Sequence, residues 1–323
     1  MERTALILSP RAAQYAGWIA VPDGVRLLHA ERVEDALPHL PEVSGIITFP
    51  PVLNAELLAA MPQLDWIQVL TSGTDTLQAL DLPDRIALTS GRGAQADQLS
   101  ELVFLQMLWF LRDVPAMLER QKRREWAPAP QRLLARKRVL IVGVGAISEE
   151  LAKRCAAFGM VVTGCSGSRA TAPHFQRIVP LEQLASQAAE TDFLVVLTPY
   201  RPSTHNLVNR SVIDALPGDA VIINVARGAV VDEDALLAAL EAGAIGGAAL
   251  DVFRQEPLPM ENPLWDCEKV LITPHIGGFS ETHAEQIAPI VSENLRRWAE
   301  GSFPLINEVQ LAGWSDQGNT YGQ

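Results

Sequence analysis

The chain has 323 residues, 48% of them hydrophobic, and a formal net charge of −12. That length accommodates two domains with sizeable cores. The acidic balance argues against nucleic acid as a partner, because phosphate backbones select basic faces.

In the first third, "ALIL", "VRLLHA", "GIITF", "WIQVL" and "IALT" read as buried strands, separated by helical stretches with Pro or Gly at their edges. Strand–helix alternation of this kind builds a parallel sheet covered on both faces. From Gln98 to Arg124 the pattern predicts one long helix or two joined helices, ended or kinked at Pro115. Its first half is apolar nearly all round, so it is expected to be buried on several sides and to bridge two domains or two subunits. The basic runs "RQKRREW" and "ARKR" lie among these and the following residues and read as solvated helix surface.

A second alternating series starts at Arg138, with strands expected at "RVLIVG", "VVTGC", "FLVVLT", "AVIINVA", "GAALDV" and "VLIT". The helix after Val231 has Asp232 as its N-cap and Gly243 at its end. The last helix, "THAEQIAPIVSENLRRWAEG", returns the chain to the first domain, and the polar tail "SDQGNTYGQ" is expected to be loose. The start "MERTALILSP" lacks an apolar signal core, and no run reaches membrane-spanning length. Cys155, Cys165 and Cys267 are far apart, so neither a disulfide framework nor a zinc ribbon is suggested. A cytoplasmic protein with no membrane partner is the expectation.

The stretch "VLIVGVGAIS" has the form of a phosphate-gripping turn, a strand followed by Gly-x-Gly. Gly143 permits the tight turn, and Gly145 lets backbone approach a pyrophosphate. The helix from Ala146 and Ile147 then offers unpaired N–H groups and a positive dipole end to an anion. Ser148 stands where a third glycine would allow close helix–strand packing, and its hydroxyl either bonds a nearby carbonyl or faces the phosphate. An ordinary strand-to-helix turn is the plainer alternative, but the strand before and the helix after favour a dinucleotide site.

Three further segments, "NVARGAVVDEDAL", "ALDVFRQEPLP" and "ITPHIGGFS", each follow an expected strand of the second domain. In such sheets ligands collect beyond the C-terminal ends of the strands. Arg227, Glu256 and His275 are therefore expected to meet. A guanidinium clamps a carboxylate, an imidazole gives or takes a hydroxyl proton, and a carboxylate beside the imidazole orients it. With a nicotinamide these groups suit interconversion of a 2-oxo and a 2-hydroxy acid. Taken singly, each residue is equally compatible with an ion pair or a loop position. Three at strand ends near a cofactor turn point to function.

From about Val139 to Ser280 these segments resemble the D-isomer-specific 2-hydroxyacid dehydrogenases, with "NVARGAVVDEDALLAAL", "GAALDVFRQEPLP" and "LITPHIGG" carrying the match. The resemblance implies that Arg227 binds substrate, Glu256 is the partner acid and His275 the acid/base. Asp251 falls where the family places a carboxylate near the nicotinamide. "VLTSGTDTL" resembles a loop that offers N–H groups to the substrate carboxylate, which would place Ser72, Gly73 and Thr74 there. Arg92 is a substrate-facing charge or a surface-loop residue. Glu101 and Trp126 fit an acidic and an aromatic position of the family.

The implied fold is α/β, with two doubly wound parallel-sheet domains. A Rossmann cofactor domain over 113–289 is inserted in a flavodoxin-like substrate domain formed by 1–112 and 290–323, with the active site in the cleft. The resemblance also implies the D product, a small 2-oxo acid such as glyoxylate or hydroxypyruvate, and a homodimer using the long apolar helix. A corepressor of the same fold and a hydrolase of the adenosylhomocysteine type are the rival readings, and the intact Arg, Glu and His favour the enzyme.

The strand "MVVTGCSGSRAT" identifies the expected cofactor. An NAD site carries an acid at the end of this strand for the ribose hydroxyls. The resemblance aligns Ser166 with that acid, and Ser168 and Arg169 follow it to accept a 2′-phosphate. NADP(H) is therefore expected in preference to NAD(H), against the alternative of a polar surface turn with a solvated arginine. The full cofactor set is Gly143, Gly145, Ala146, Ile147, Ser166, Ser168, Arg169, Thr198, Ala226 and Asp251. His29, His39, His174, His205 and His283 have no such context, and no metal site is expected.

Overall fold

The computed structural model describes residues 2–309, so the tail "SDQGNTYGQ" lies outside the described residues. Its described residues form two compact units, one made of 2–95 and 279–309, the other of Ala96–Gly278.

In the first unit, β1 (Arg3–Leu8), β2 (Val25–Ala30), β3 (Gly45–Thr48), β4 (Trp66–Val69) and β5 (Ala87–Thr89) form a sheet in the order β2-β1-β3-β4-β5. All its pairs are parallel. This is the flavodoxin-like order. Helices α1 (Ala12–Trp18), α2 (Val33–Ala36) and α3 (Ala55–Ala59) connect the strands. Every residue of β3 and β4 is buried, as expected for strands covered on both faces.

The second unit opens with α4 (Ala96–Leu111) and α5 (Val114–Lys122) and then winds through β6 (Arg138–Val142), α6 (Ala146–Ala157), β7 (Val161–Cys165), β8 (Arg177–Val179), α7 (Leu184–Ala188), β9 (Phe193–Val196), α8 (Arg210–Ala215), β10 (Val221–Asn224), α9 (Glu233–Glu241), β11 (Gly247–Leu250) and β12 (Val270–Ile272). The sheet is again all parallel, in the order β12-β11-β10-β9-β6-β7-β8. Strand order reverses between β6 and β9, the switch point of a Rossmann sheet. Asp232 caps α9 by accepting the Ala235 N–H at 3.0 Å, and Gly243 beyond its end has φ 67°.

The final helix, α10 (His283–Glu300), belongs to the first unit. Ile287, Val291, Leu295 and Trp298 recur at helical spacing and pack with Ala5, Ile7, Tyr15 and Trp66. Each such fully buried large side chain contributes about 1.5–3 kcal/mol. Gly301 ends the helix in the left-handed conformation (φ 68°), which glycine adopts without a Cβ penalty.

The unit boundaries differ from the expected 112/113 and 289/290. Leu99, Val103, Phe104, Met107 and Leu111 of α4 share a core with Val139, Ile141, Leu151 and Ile223, so the first boundary falls before this helix. The whole of α10 packs in the first unit, which moves the second boundary to Gly278/Phe279. The long apolar helix is two helices. The break comes at Asp113, which takes a left-handed backbone (φ 50°), and Pro115 sits in the first turn of α5, where its missing N–H costs nothing. Edge strand β8 has no counterpart among the expected strands.

Candidate active site

The C-terminal ends of β6, β9, β10, β11 and β12 line one edge of the second unit's sheet. They present, in chain order, Gly143, Thr198, Ala226 with Arg227, Asp251 and His275.

Gly143 has φ 95°, and a Cβ there would lie 2.6 Å from the Thr198 nitrogen. The turn and the end of β9 are therefore in backbone contact, and only glycine fits. Gly145 is different. It caps α6 in an extended conformation, and a Cβ on it would meet nothing within 4 Å. Gly145 and Ala146 are exposed at the helix N-terminus, with Ile147 half-buried behind them. An open glycine cradle at a helix N-terminus fits a dinucleotide pyrophosphate. Ser148 is buried and donates its hydroxyl to the Gly143 carbonyl at 2.5 Å. The serine thus braces the turn from within.

At the end of β7, the buried Ser166 Oγ accepts the N–H groups of Ser168 (3.3 Å) and Arg169 (3.2 Å), which shapes the turn. Ser168 and Arg169 are exposed. The Arg169 guanidinium is not simply solvated, because it donates to the carboxylate of Glu149 in the first turn of α6.

His275 and Glu256 come together. The Nδ1 of His275 is 2.6 Å from Glu256 Oε2, while Glu256 Oε1 accepts the Phe253 N–H at 2.9 Å. Burial acts to raise the Glu256 carboxyl. The hydrogen bonds from His275 and Phe253, with the His275 and Arg227 charges, outweigh it and hold the group below the ordinary carboxylate range. His275 itself has a left-handed backbone (φ 52°), which costs a non-glycine residue roughly 1–2 kcal/mol. Asp251 holds it there. The Asp251 carbonyl accepts the His275 N–H at 2.8 Å. Its carboxylate accepts from Thr273 Oγ1 (2.5 Å) and from the N–H groups of Ile276 (3.0 Å) and Gly277 (2.9 Å). Asp251 is 1% exposed, and both its oxygens serve the histidine loop, a role the sequence did not suggest.

Arg227 follows β10 and donates to the Ala226 carbonyl at 2.7 Å. The buried Asn224 fixes this turn, donating to the Arg227 carbonyl (3.0 Å) and accepting the Ala226 N–H (3.1 Å). Gly228 lies directly against the Phe253–Arg254 peptide, where a Cβ would fall 1.9 Å from the Phe253 carbonyl carbon. That approach ties the arginine turn to the glutamate loop. The buried Glu233 reinforces it by accepting the Arg254 N–H, and Arg254 pairs with Asp234 at 3.0 Å. Sequence reading passed over Asn224, Gly228 and Glu233. Their only sequence trace was the match of "NVARGAVVDED".

The other loop residues marked by the sequence belong to the first unit. Ser72 gives both its N–H (3.3 Å) and its hydroxyl (3.0 Å) to Gln95, and Thr71 Oγ1 bonds the Gly73 carbonyl at 2.9 Å. Thr74 is half-buried, and Arg92 is exposed, with its carbonyl accepting Asn307 Nδ2 at 2.8 Å. In the second unit, Glu101 pairs with Arg154 of α6 at 3.0 Å, and Trp126 is 97% exposed. No group of His, Cys, Asp and Glu able to hold a metal occurs among the described residues.

A doubly wound sheet with a glycine turn at its reversal and polar residues along that edge defines a dinucleotide-binding α/β protein. Residues 104–277 match the D-isomer specific 2-hydroxyacid dehydrogenase, NAD binding domain. The chain belongs to the D-isomer-specific 2-hydroxyacid dehydrogenase family. Glyoxylate/hydroxypyruvate reductase A of Salmonella typhi is 31% identical over 303 residues, covering 87% of this chain and 93% of the relative. A family structure from Aeromonas salmonicida superposes with a TM-score of 0.89 at 32% identity, over 96% of this chain and all of that one. A D-isomer specific 2-hydroxyacid dehydrogenase from Xanthobacter autotrophicus, solved with NADPH and MES, has a TM-score of 0.80 at 32% identity, over 95% of this chain and 98% of that one.

Proposed function

We propose that this chain is an NADP(H)-preferring reductase of a small 2-oxo acid of the glyoxylate or hydroxypyruvate kind, giving the D-2-hydroxy acid. The observation that carries the reading is the 2.6 Å contact between His275 and Glu256 on the unit that bears the dinucleotide turn. When bound, the nicotinamide cofactor supplies hydride to C2 of the oxo acid. The protein's part is electrostatic and positional. His275 hands a proton to the carbonyl oxygen, Glu256 orients its ring through the Nδ1 contact, and Arg227 holds the substrate carboxylate. Because Ser72 already serves Gln95, Gly73 and Thr74 are the proposed main-chain donors of the first unit, with Arg92 as an additional charge.

Gly143, Gly145, Ala146 and Ile147 would hold the pyrophosphate, and Thr198 and Ala226 would line the same edge. Asp251 would act near the nicotinamide chiefly by fixing the histidine loop. Ser166, Ser168 and Arg169 would receive a 2′-phosphate, a reading supported by the absence of an acid at the end of β7 and by the NADPH bound to the Xanthobacter relative. The substrate class follows the name of the Salmonella relative.

The test is a panel of 2-oxo acids assayed with NADPH and NADH on wild type and His275→Ala. The expected result is highest kcat/KM for a small oxo acid with NADPH, and a loss of turnover of about a hundredfold or more in the variant with cofactor binding kept. Near-normal turnover without His275 removes it from the mechanism.

No helix among the described residues is long and apolar enough to cross a membrane. We propose a cytoplasmic homodimer. On α4, Leu99, Val103, Phe104, Met107 and Leu111 pack in the second unit's core, and Leu105 is left exposed for the expected interface. Met117 and Leu118 of α5 and Trp126 are further exposed apolar groups that support association. A monomeric mass by light scattering would refute the dimer.

A further inference from the structure

The proposed 2′-phosphate site contains a charge that no phosphate site would be expected to keep. Arg169 is the cation offered to the phosphate, and Glu149 already holds it. Glu149 sits in the first turn of α6, one turn beyond the glycine cradle, and its N–H bonds the Gly145 carbonyl at 2.9 Å. We propose that Glu149 is a cofactor-discriminating residue, acting through Arg169 to weaken 2′-phosphate binding and so keep NADH within reach of this enzyme. The inference rests on the NADP(H) reading above.

Three observations carry it. The turn presenting Arg169 is fixed independently of Glu149, because Ser166 Oγ accepts the Arg169 N–H at 3.2 Å. The arginine therefore does not need the carboxylate to stay near the strand end. The contact is made through one guanidinium nitrogen, and the side chains are 39% and 33% exposed. A pair this exposed holds its partners by no more than about fivefold in equilibrium constant, so a dianionic phosphate displaces the carboxylate but binds against it. A 2′-hydroxyl carries no charge and does not compete for the guanidinium. The cost therefore falls on NADPH alone, and it is set by the Arg169 contact that the phosphate must displace.

The experiment measures dissociation constants for NADPH and NADH from nicotinamide fluorescence, on wild type, Glu149→Gln, Arg169→Ala and the double variant. Glu149→Ala repeats the first comparison should the amide make a new hydrogen bond. Removing the charge is expected to tighten NADPH binding about two- to fivefold and to leave NADH binding essentially unmoved. In the Arg169→Ala background the same change should have little effect on either cofactor. Unchanged or weaker NADPH binding in Glu149→Gln overturns the inference, as does equal tightening of both cofactors. Tightening that persists without Arg169 also overturns it, since the carboxylate would then act directly. If Arg169→Ala leaves NADPH binding intact, the 2′-phosphate reading itself falls and takes the inference with it. If that variant weakens NADPH while Glu149→Gln does nothing, only the inference falls.

Discussion

His275 Nδ1 and Glu256 Oε2 stand 2.6 Å apart, on loops that leave neighbouring strands of one sheet. The pair sets a pH dependence that can be worked out from Glu256. Its carboxyl is held below the ordinary range, so it carries charge in the folded protein through and below the usual carboxylate titration. The stability it contributes is fully present above the unfolded value of about 4.3 and is lost as pH falls through its lower folded value. Glu256→Gln keeps the shape and removes the charge. Reductive turnover in this variant is expected to fall, because a neutral amide holds the His275 ring less firmly than the carboxylate does. Its acid unfolding should also lack the Glu256 component. Turnover equal to that of wild type would show that the carboxylate does not support the acid.

Arg227 is expected to act through its planar fork. Arg227→Ala should raise KM for the oxo acid and lower kcat, since both affinity and orientation are lost. Arg227→Lys should recover only part of each, because an ammonium is a point charge. Full recovery by lysine would show that charge alone is enough.

Much of this arrangement was legible in the sequence. Eleven runs marked as strands correspond to β1–β7 and β9–β12, because each is a short apolar run with clear breaks on both sides. The remaining strand, β8, is three residues long on the sheet edge and begins with an exposed arginine, so only Ile178 and Val179 mark it, too short an apolar run to read as a strand. The meeting of His275 with Glu256 was expected from strand-end logic. The Arg169–Glu149 pair was not, because the sequence placed Arg169 by its own strand and gave no reason to look at the helix before it. Asp251 was visible as a position. Its grip on the Ile276 and Gly277 N–H groups depends on a loop conformation that only the fold supplies. The α4 boundary was missed for a similar reason, since an apolar helix does not announce which of two cores it will fill.

Gly228 offers a test of the link between the arginine and the glutamate loops. A Cβ there would fall 1.9 Å from the Phe253 carbonyl carbon, and backbone cannot yield as a flexible side chain does. Gly228→Ala should therefore push the 253–256 loop away, cost roughly 2–3 kcal/mol of stability by denaturant titration, and depress turnover. Full activity together with full stability would mean that the two loops are not in contact in solution.

Gly145 is the opposite case. Its extended backbone is open to any residue, and an added Cβ meets no protein atom within 4 Å. Alanine caps a helix less well than glycine but orders the unfolded chain more, and the two effects nearly cancel, leaving stability within about 0.5 kcal/mol of wild type. If the open space is where a pyrophosphate approaches the backbone, the same methyl group should hold it off. Gly145→Ala is therefore expected to keep its melting temperature and to lose at least about tenfold in affinity for NADPH and NADH alike, since both carry the same pyrophosphate. Calorimetry and fluorescence titration on one preparation separate the two quantities. Dinucleotide binding that survives the substitution unchanged would put the pyrophosphate somewhere other than this turn.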